Sequence, residues 1–122
     1  MAIIREIRGF KPTIGNDCFI AETAAIIGDV TMGDNCSIWY GTVLRGDVNS
    51  ITIGNNVNIQ DGAVVHTLFQ RSKTVIGDNV SIGHNATIHG ATVESTASLA
   101  WELQCLTMLW LRAEPLLLPT HW

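Results

Sequence analysis

At 122 residues the chain has room for one domain, and at 47% hydrophobic and 15% charged it is too apolar for a disordered polymer. No stretch approaches the ~20 consecutive apolar residues of a membrane span. A net charge of −4, with seven basic residues and no two of them adjacent, argues against a nucleic-acid surface.

The opening MAIIREIRGFKP is interrupted at Arg5, Glu6 and Arg8, which is not signal-peptide anatomy, so the expected address is cytoplasmic. From Ile14 onward a period of six takes over. Apolar anchors stand at Ile14, Ile20, Ile26, Met32, Ile38 and Leu44, then Ile53, Ile59 and Val65, then Ile76, Ile82 and Ile88. Four positions past most of them lies a small or branched residue, expected to point with the anchor into a shared core: Cys18, Ala24, Val30, Cys36, Thr42, Val57, Ala63, Val80, Ala86, Thr92. Gly often follows the anchor, as at Gly15, Gly33, Gly54, Gly77 and Gly83, with Asp or Asn close behind. Six is wrong for a helix and too long for simple strand alternation; it fits a short strand and a turn whose conformations Gly, Asn and Asp supply. Three such units close a triangular coil of 18 residues, and coils stack by parallel pairing at roughly 4.8 Å. Twelve anchors predict an all-β parallel β-helix of about four coils.

Two irregularities interrupt the count. Leu44 and Ile53 are nine apart, and Val65 and Ile76 eleven, so three and five extra residues are expected to bulge as corner loops around Arg45–Thr52 and Phe69–Lys73. Cys18 and Cys36 share one inward column, where a packing role is expected and no disulfide. Asn49, Asn55, Asn56 and Asn58 are read as turn formers.

The same counting organises the histidines. His66 and His89 are 23 apart, one coil plus the five-residue insertion, and Arg45 precedes His66 by 21, one coil plus the three-residue insertion. All three therefore stack on one outward edge, while His84, two residues past Ile82, points elsewhere. A catalytic zinc site takes three protein ligands and keeps one position open. His66 and His89 supply two imidazoles, and His84 of a neighbouring subunit in a closed trimer could supply the third; alternatively these are ordinary surface residues.

The run VLRGDVNSITIGNNVNIQDGAVVHT followed by IGDNVSIGHNATIHG resembles the gamma-class carbonic anhydrases and related hexapeptide-repeat proteins, over residues 7–93. The features in common are R-x-D at Arg45 and Asp47, Q-D-G beginning at Gln60 and Asp61, and three histidines in order. The resemblance implies a left-handed parallel β-helix, a homotrimer, and a metal held by His66 and His89 of one subunit and His84 of the next. Zinc is usual in the family, with iron or cobalt in some members. It also implies Arg45 and Asp47 near the subunit interface, and Gln60 and Asp61 beside the metal, with Gln60 orienting water or carbon dioxide. The implied reaction is reversible hydration of carbon dioxide to bicarbonate by metal-bound hydroxide. Two family glutamates are missing: Val48 follows the R-x-D aspartate, and HTLFQRSKTV carries no acid, so proton export falls to buffer, water or a neighbouring histidine. The alternatives are a hexapeptide acyltransferase using a CoA thioester, and a non-enzymatic assembly protein.

Past Val93 the composition changes. Residues 94–122 hold eight leucines and three of the four tryptophans but no Gly, Ile or Asp. A helix from about Leu99 to Ala113, ended by Pro115 and Pro119, is expected in this non-repeat tail. Relatives commonly continue I-G-M-G-A here; a coding such as ATT GGC ATG GGA GCT, read one base late, yields Leu-Ala-Trp-Glu-Leu, the residues from Leu99 to Leu103. The expectation is thus a β-helix domain over 1–93 and a frameshifted, truncated Leu/Trp-rich tail over 94–122.

Overall fold

The structure is a computed structural model that describes residues 2–67 and 72–95, together with the backbone alone of Ser98–Leu99, Gln104–Cys105 and Trp110–Leu111. The described residues are all-β. In chain order the strands are β1 (Ile3–Arg5), β2 (Thr13–Ile14), β3 (Phe19–Ile20), β4 (Ala25–Met32), β5 (Ser37–Ile38), β6 (Val43–Ile53), β7 (Asn58–Ile59) and β8 (Val64–His66). Then come β9 (Thr74–Ile76), β10 (Ser81–Ile82), β11 (Thr87–His89), β12 (Thr92–Val93), β13 (Ser98–Leu99), β14 (Gln104–Cys105) and β15 (Trp110–Leu111). Every strand pairing is parallel.

The coil is triangular, a left-handed parallel β-helix of about four turns from Ile14 to Val93. One face stacks β3, β5, β7, β10 and β13 as a separate sheet. The other two faces are fused into one sheet, because β4 and β6 continue unbroken through the corner between them.

Anchors fill the interior as the period requires. From Ile26 to Ile88 each is no more than 2% exposed, whereas Ile14 and Ile20, in the first coil, are only half-buried. Burying each such side chain contributes roughly 1.5–3 kcal/mol, and because a coil shares its anchors' contacts with its neighbours, the stack and not the coil is the stable unit. Cys18 and Cys36 are both unpaired thiols; each donates to a carbonyl one coil on, to Gly33 at 3.3 Å and Gly54 at 3.2 Å. Burial pushes the Cys36 thiol pKa up.

The corner after Ile14, Met32, Ile53 and Ile76 is closed by a ladder. The backbone N–H of Asn16 donates to Asp34 Oδ1 (2.8 Å), that of Asp34 to Asn55 Oδ1 (2.7 Å), that of Asn55 to Asp78 Oδ1 (2.7 Å), and that of Asp78 to Ser95 Oγ (3.0 Å). The next residue in each of the first four coils, Asp17, Asn35, Asn56 and Asn79, adopts positive φ, which short polar side chains tolerate. Gly33 and Gly54 are required beside it, since a Cβ there would collide with the Asn55 or Asp78 side-chain oxygen.

Three expectations change on folding. The three-residue insertion is accommodated inside β6 rather than as a loop: Gly28 pairs with Gly46 and Val30 with Ile51, so Asp29 alone faces residues 47–50. Thr92 is not inward. Val93 pairs with Ile76 after 17 residues instead of 18, so a one-residue deletion past Ile88 turns Ala91 and Val93 into the core and Thr92 outward beside Val75. The helix expected from Leu99 to Ala113 lies largely outside the described residues. Where its backbone is described it is strand, β13, β14 and β15, recurring every six residues and paired with β10, β11 and β12. The loop expected around Phe69–Lys73 falls mostly outside the described residues. Among those described, no helix is long and apolar enough to cross a membrane.

Candidate metal centre

The corner between the two fused faces carries the expected column. Leu44 pairs with Val65 and His66 with His89, which puts Arg45, His66 and His89 one above another, each immediately after a buried anchor. The two imidazoles stack with ring centroids 5.2 Å apart and planes within 10° of parallel. Asp47, carried by the inserted segment of β6, folds back so that its Oδ1 lies 3.0 Å from His66 Nε2. Arg45 bridges both neighbours, with Nη2 3.4 Å from His66 Nδ1 and Nη1 3.7 Å from Asp47 Oδ2. A guanidinium only donates, so His66 Nδ1 accepts from Arg45 and His66 Nε2–H donates to Asp47, which selects one tautomer.

The remaining candidates sit on the next corner, where the anchors are Ile59 and Ile82. There His84 Nδ1 is 3.7 Å from Asp61 Oδ1, and both side chains are about half exposed. They share a groove of about 290 Å³ with Gln60, Trp39 and Asn58. The seven candidate residues therefore divide into two sets on different corners: Arg45, Asp47, His66 and His89 on one, Gln60, Asp61 and His84 on the other. Among the described residues no three His, Cys, Asp or Glu side chains converge to hold an ion. The donor chemistry fits half of an imidazole-rich site: two stacked rings, one of them oriented by a carboxylate, with His84 on a different corner.

Residues 11–46 match the family described as bacterial transferase hexapeptide (six repeats). Over 92 residues, 71% of this chain and 33% of the relative, the sequence is 50% identical to gamma carbonic anhydrase 2, mitochondrial, of Arabidopsis thaliana. It is 54% identical over 81 residues, 66% of this chain and 50% of the relative, to a probable carbonic anhydrase of Methanocaldococcus jannaschii. A solved structure of a hexapeptide transferase family protein from Anaplasma phagocytophilum superposes with a TM-score of 0.80 at 37% identity, covering 93% of this chain and 77% of that one. The chain belongs to the hexapeptide-repeat family. As a hexapeptide-repeat protein it spans about a third of the length of the plant relatives and half of the archaeal one.

Three residues of this hexapeptide-repeat protein reach the two corners without a sequence motif to announce them. Arg8 and Gly9, both at positive φ, reverse the chain between Ile7 and Phe10, and Arg8 Nη1 donates to the Asp47 carbonyl at 3.4 Å. Trp39 lines the Gln60 groove; the signal for it was the register itself, since it lies 21 residues before Gln60 at the same position past an anchor. Asn58 is not a turn former. It lies in β7, and its amide is occupied by Ser37, Trp39 and Ser81. Asn55 and Asn56 are corner residues as expected, and Asn49 lies within β6, its Oδ1 accepting the Ser50 N–H.

Proposed function

We propose that this protein is a gamma carbonic anhydrase-like, metal-binding β-helix protein of the cytoplasm. It assembles as a homotrimer and catalyses reversible hydration of carbon dioxide to bicarbonate. The observation that carries the reading is the stacked His66–His89 pair, with Asp47 and Arg45 on its flank, while His84 waits on a different corner. His66 and His89 would hold zinc, or iron or cobalt, together with His84 of a neighbouring copy. When bound, such an ion supplies Lewis acidity that lowers the pKa of water toward ~7.

The chain's own groups do the rest. Asp47 holds His66 in one orientation, which preorganises a ligand whose rotation would otherwise cost affinity. For a ring nitrogen of His66 to ligate, either the Arg45 contact at Nδ1 or the Asp47 contact at Nε2 must yield. Gln60, in the groove beside His84, presents an amide that can donate to an oxygen of carbon dioxide and accept from water. Asp61 orients His84. With Val48 where the family has a glutamate, the released proton leaves to buffer, so turnover rises with buffer concentration.

The test is metal content and mass of the purified protein, alone and in mixtures. One ion per chain is expected in a trimer, and loss of more than nine-tenths of it in His66→Ala, His89→Ala or His84→Ala. Mixing His66→Ala with His84→Ala chains is expected to restore part of the binding, because some interfaces then combine two intact halves. Full metal binding by His84→Ala would overturn the intersubunit site. Turnover of an acyl-CoA thioester without metal would favour the acyltransferase, and stoichiometric metal without hydration the assembly protein.

A further inference from the structure

The first reversal of the chain is built on a residue that its backbone disfavours. Ile7 and Phe10 exchange both backbone hydrogen bonds at 2.9 Å, so Arg8 and Gly9 form a two-residue turn. Both stand at positive φ, 53° and 84°, as such a turn demands. Among the described residues, the other non-glycine positions at positive φ are all Asn or Asp: Asp17, Asn35, Asn56, Asn79 and Asn85. Short polar side chains suit that conformation and a long one does not. An Asn-Gly pair would serve the reversal better, so the turn alone does not account for an arginine. Backbone strain of this kind is a pointer to what the side chain does.

The guanidinium reaches β6. A cleft of about 250 Å³ separates the turn from residues 46–50, and Arg8 Nη1 crosses it to donate to the Asp47 carbonyl at 3.4 Å. In this stretch Gly28 pairs with Gly46 and Val30 with Ile51, which leaves Asp29 alone opposite residues 47–50. One residue cannot satisfy the backbone groups of four, so the bulge draws on donors from elsewhere. The Asp47 side chain meanwhile meets the histidine corner, with Oδ1 3.0 Å from His66 Nε2 and Oδ2 3.7 Å from Arg45 Nη1. Arg8 thus grips by its backbone the residue that orients His66 by its side chain.

We infer that Arg8 is a positioning residue for the histidine corner: by holding the Asp47 carbonyl it fixes the β6 bulge, and with it the carboxylate that sets the tautomer and orientation of His66. Arg8 touches neither imidazole and acts through Asp47. Its consequence for metal affinity rests on the proposed function; its consequence for the His66 ring does not.

The experiment uses the full chain, chelator-treated and labelled with nitrogen-15 in its histidines, as parent, Arg8→Asn and Arg8→Lys. Ring nitrogens are read by NMR at about two pH units above the ordinary imidazole value, where the rings are neutral. Asparagine is at home at positive φ, so Arg8→Asn should melt no lower than the parent while losing the reach to β6. In the parent, His66 is expected to show two well-separated signals, those of the Nε2–H form. In Arg8→Asn these should approach each other by at least a third of that separation as the second tautomer becomes populated. Arg8→Lys, which keeps a donor, should recover at least half of the shift. Zinc affinity, measured by competition with a chelator, should fall about three- to tenfold in Arg8→Asn, less than the roughly 10- to 100-fold loss typical of removing a ligand's direct partner. Should Arg8→Asn fail to fold, Arg8→Gly, equally free at positive φ, carries the comparison. Parental His66 signals in the folded variant would overturn the inference, and a lowered melting temperature beside them would make Arg8 a residue of the fold alone. A ring shift in a chain that takes up no zinc would remove the proposed function and leave Arg8 as the residue that holds Asp47.

Discussion

Two corners of the same coil obey different rules. At the Asn/Asp corner the spacing between anchors is six in every coil: Ile14 to Ile20, Met32 to Ile38, Ile53 to Ile59, Ile76 to Ile82. At the histidine corner it is six from Ile26 to Met32, nine from Leu44 to Ile53, eleven from Val65 to Ile76 and five from Ile88 to Val93. The physical difference is what closes each one. In the ladder every side-chain oxygen must meet a backbone N–H one coil away, so an extra residue would break two rungs and drive a Cβ or a carbonyl into the space Gly33 and Gly54 leave open. Among the described residues no such ladder ties the histidine corner together, and it accepts the three-residue insertion by letting β6 bulge past Asp29. Asp47, which meets His66, lies in the stretch of β6 that faces Asp29.

The ladder is also arranged by charge. Asn16, Asp34, Asn55 and Asp78 alternate, so no carboxylate lies directly over another. Like charges at one-coil spacing would destabilise the stack as directly opposed like charges do in any sheet.

The sharpest way to break the contrast is to insert one glycine at each corner. Between Asp34 and Asn35 it should cost more than about 3 kcal/mol, through lost hydrogen bonds and displaced anchors, and leave the chain unfolded or aggregated. Between Asn49 and Ser50 it should cost less than about 1 kcal/mol. Chemical denaturation of both proteins compares them directly, and equal losses would mean the two corners are not different in kind. A smaller effect sharpens the electrostatic part: Asn55→Asp sets three carboxylates in consecutive rungs, with an expected loss of about 1 kcal/mol at low salt. Melting temperatures should recover toward the parent as ionic strength rises, and a salt-independent loss would place the cost in hydrogen bonding instead. The smallest effect concerns Cys36. Its thiol pKa is raised in the fold by burial, so its contribution is intact at neutral pH and is lost as pH climbs through that raised value. Stability measured at increasing alkaline pH should fall more steeply for the parent than for Cys36→Ala.

Much of this was legible beforehand because a period-six unit encodes its own turn and its own inward residue. Counting in eighteens, with the insertions subtracted, stacked His66 on His89 correctly and separated them from His84. The same counting failed past Ile88, where a single deleted residue moves the small inward position from Thr92 to Ala91 and makes Val93 the anchor, a shift that no composition signal marks. It also left Asn58 among the turn formers, since an asparagine's identity says nothing about whether its amide will meet an indole from the coil below. In the last segment, leucine and tryptophan content suggested a helix, while the described backbone keeps the six-residue strand spacing by pairing with β10, β11 and β12. Tertiary pairing there overrides a weak local preference.

What the amino-acid order determined alone is the coil: its strands, its three corners, its buried column of anchors, and which residues share an edge. Each of these depends on interactions within six residues or on a fixed repeat of them. Tertiary structure alone decided the partners: Arg45 and Asp47 on the two nitrogens of His66, and Asn58 on Trp39. These contacts join side chains 19 to 21 positions apart, and their geometry exists only once one coil lies on another.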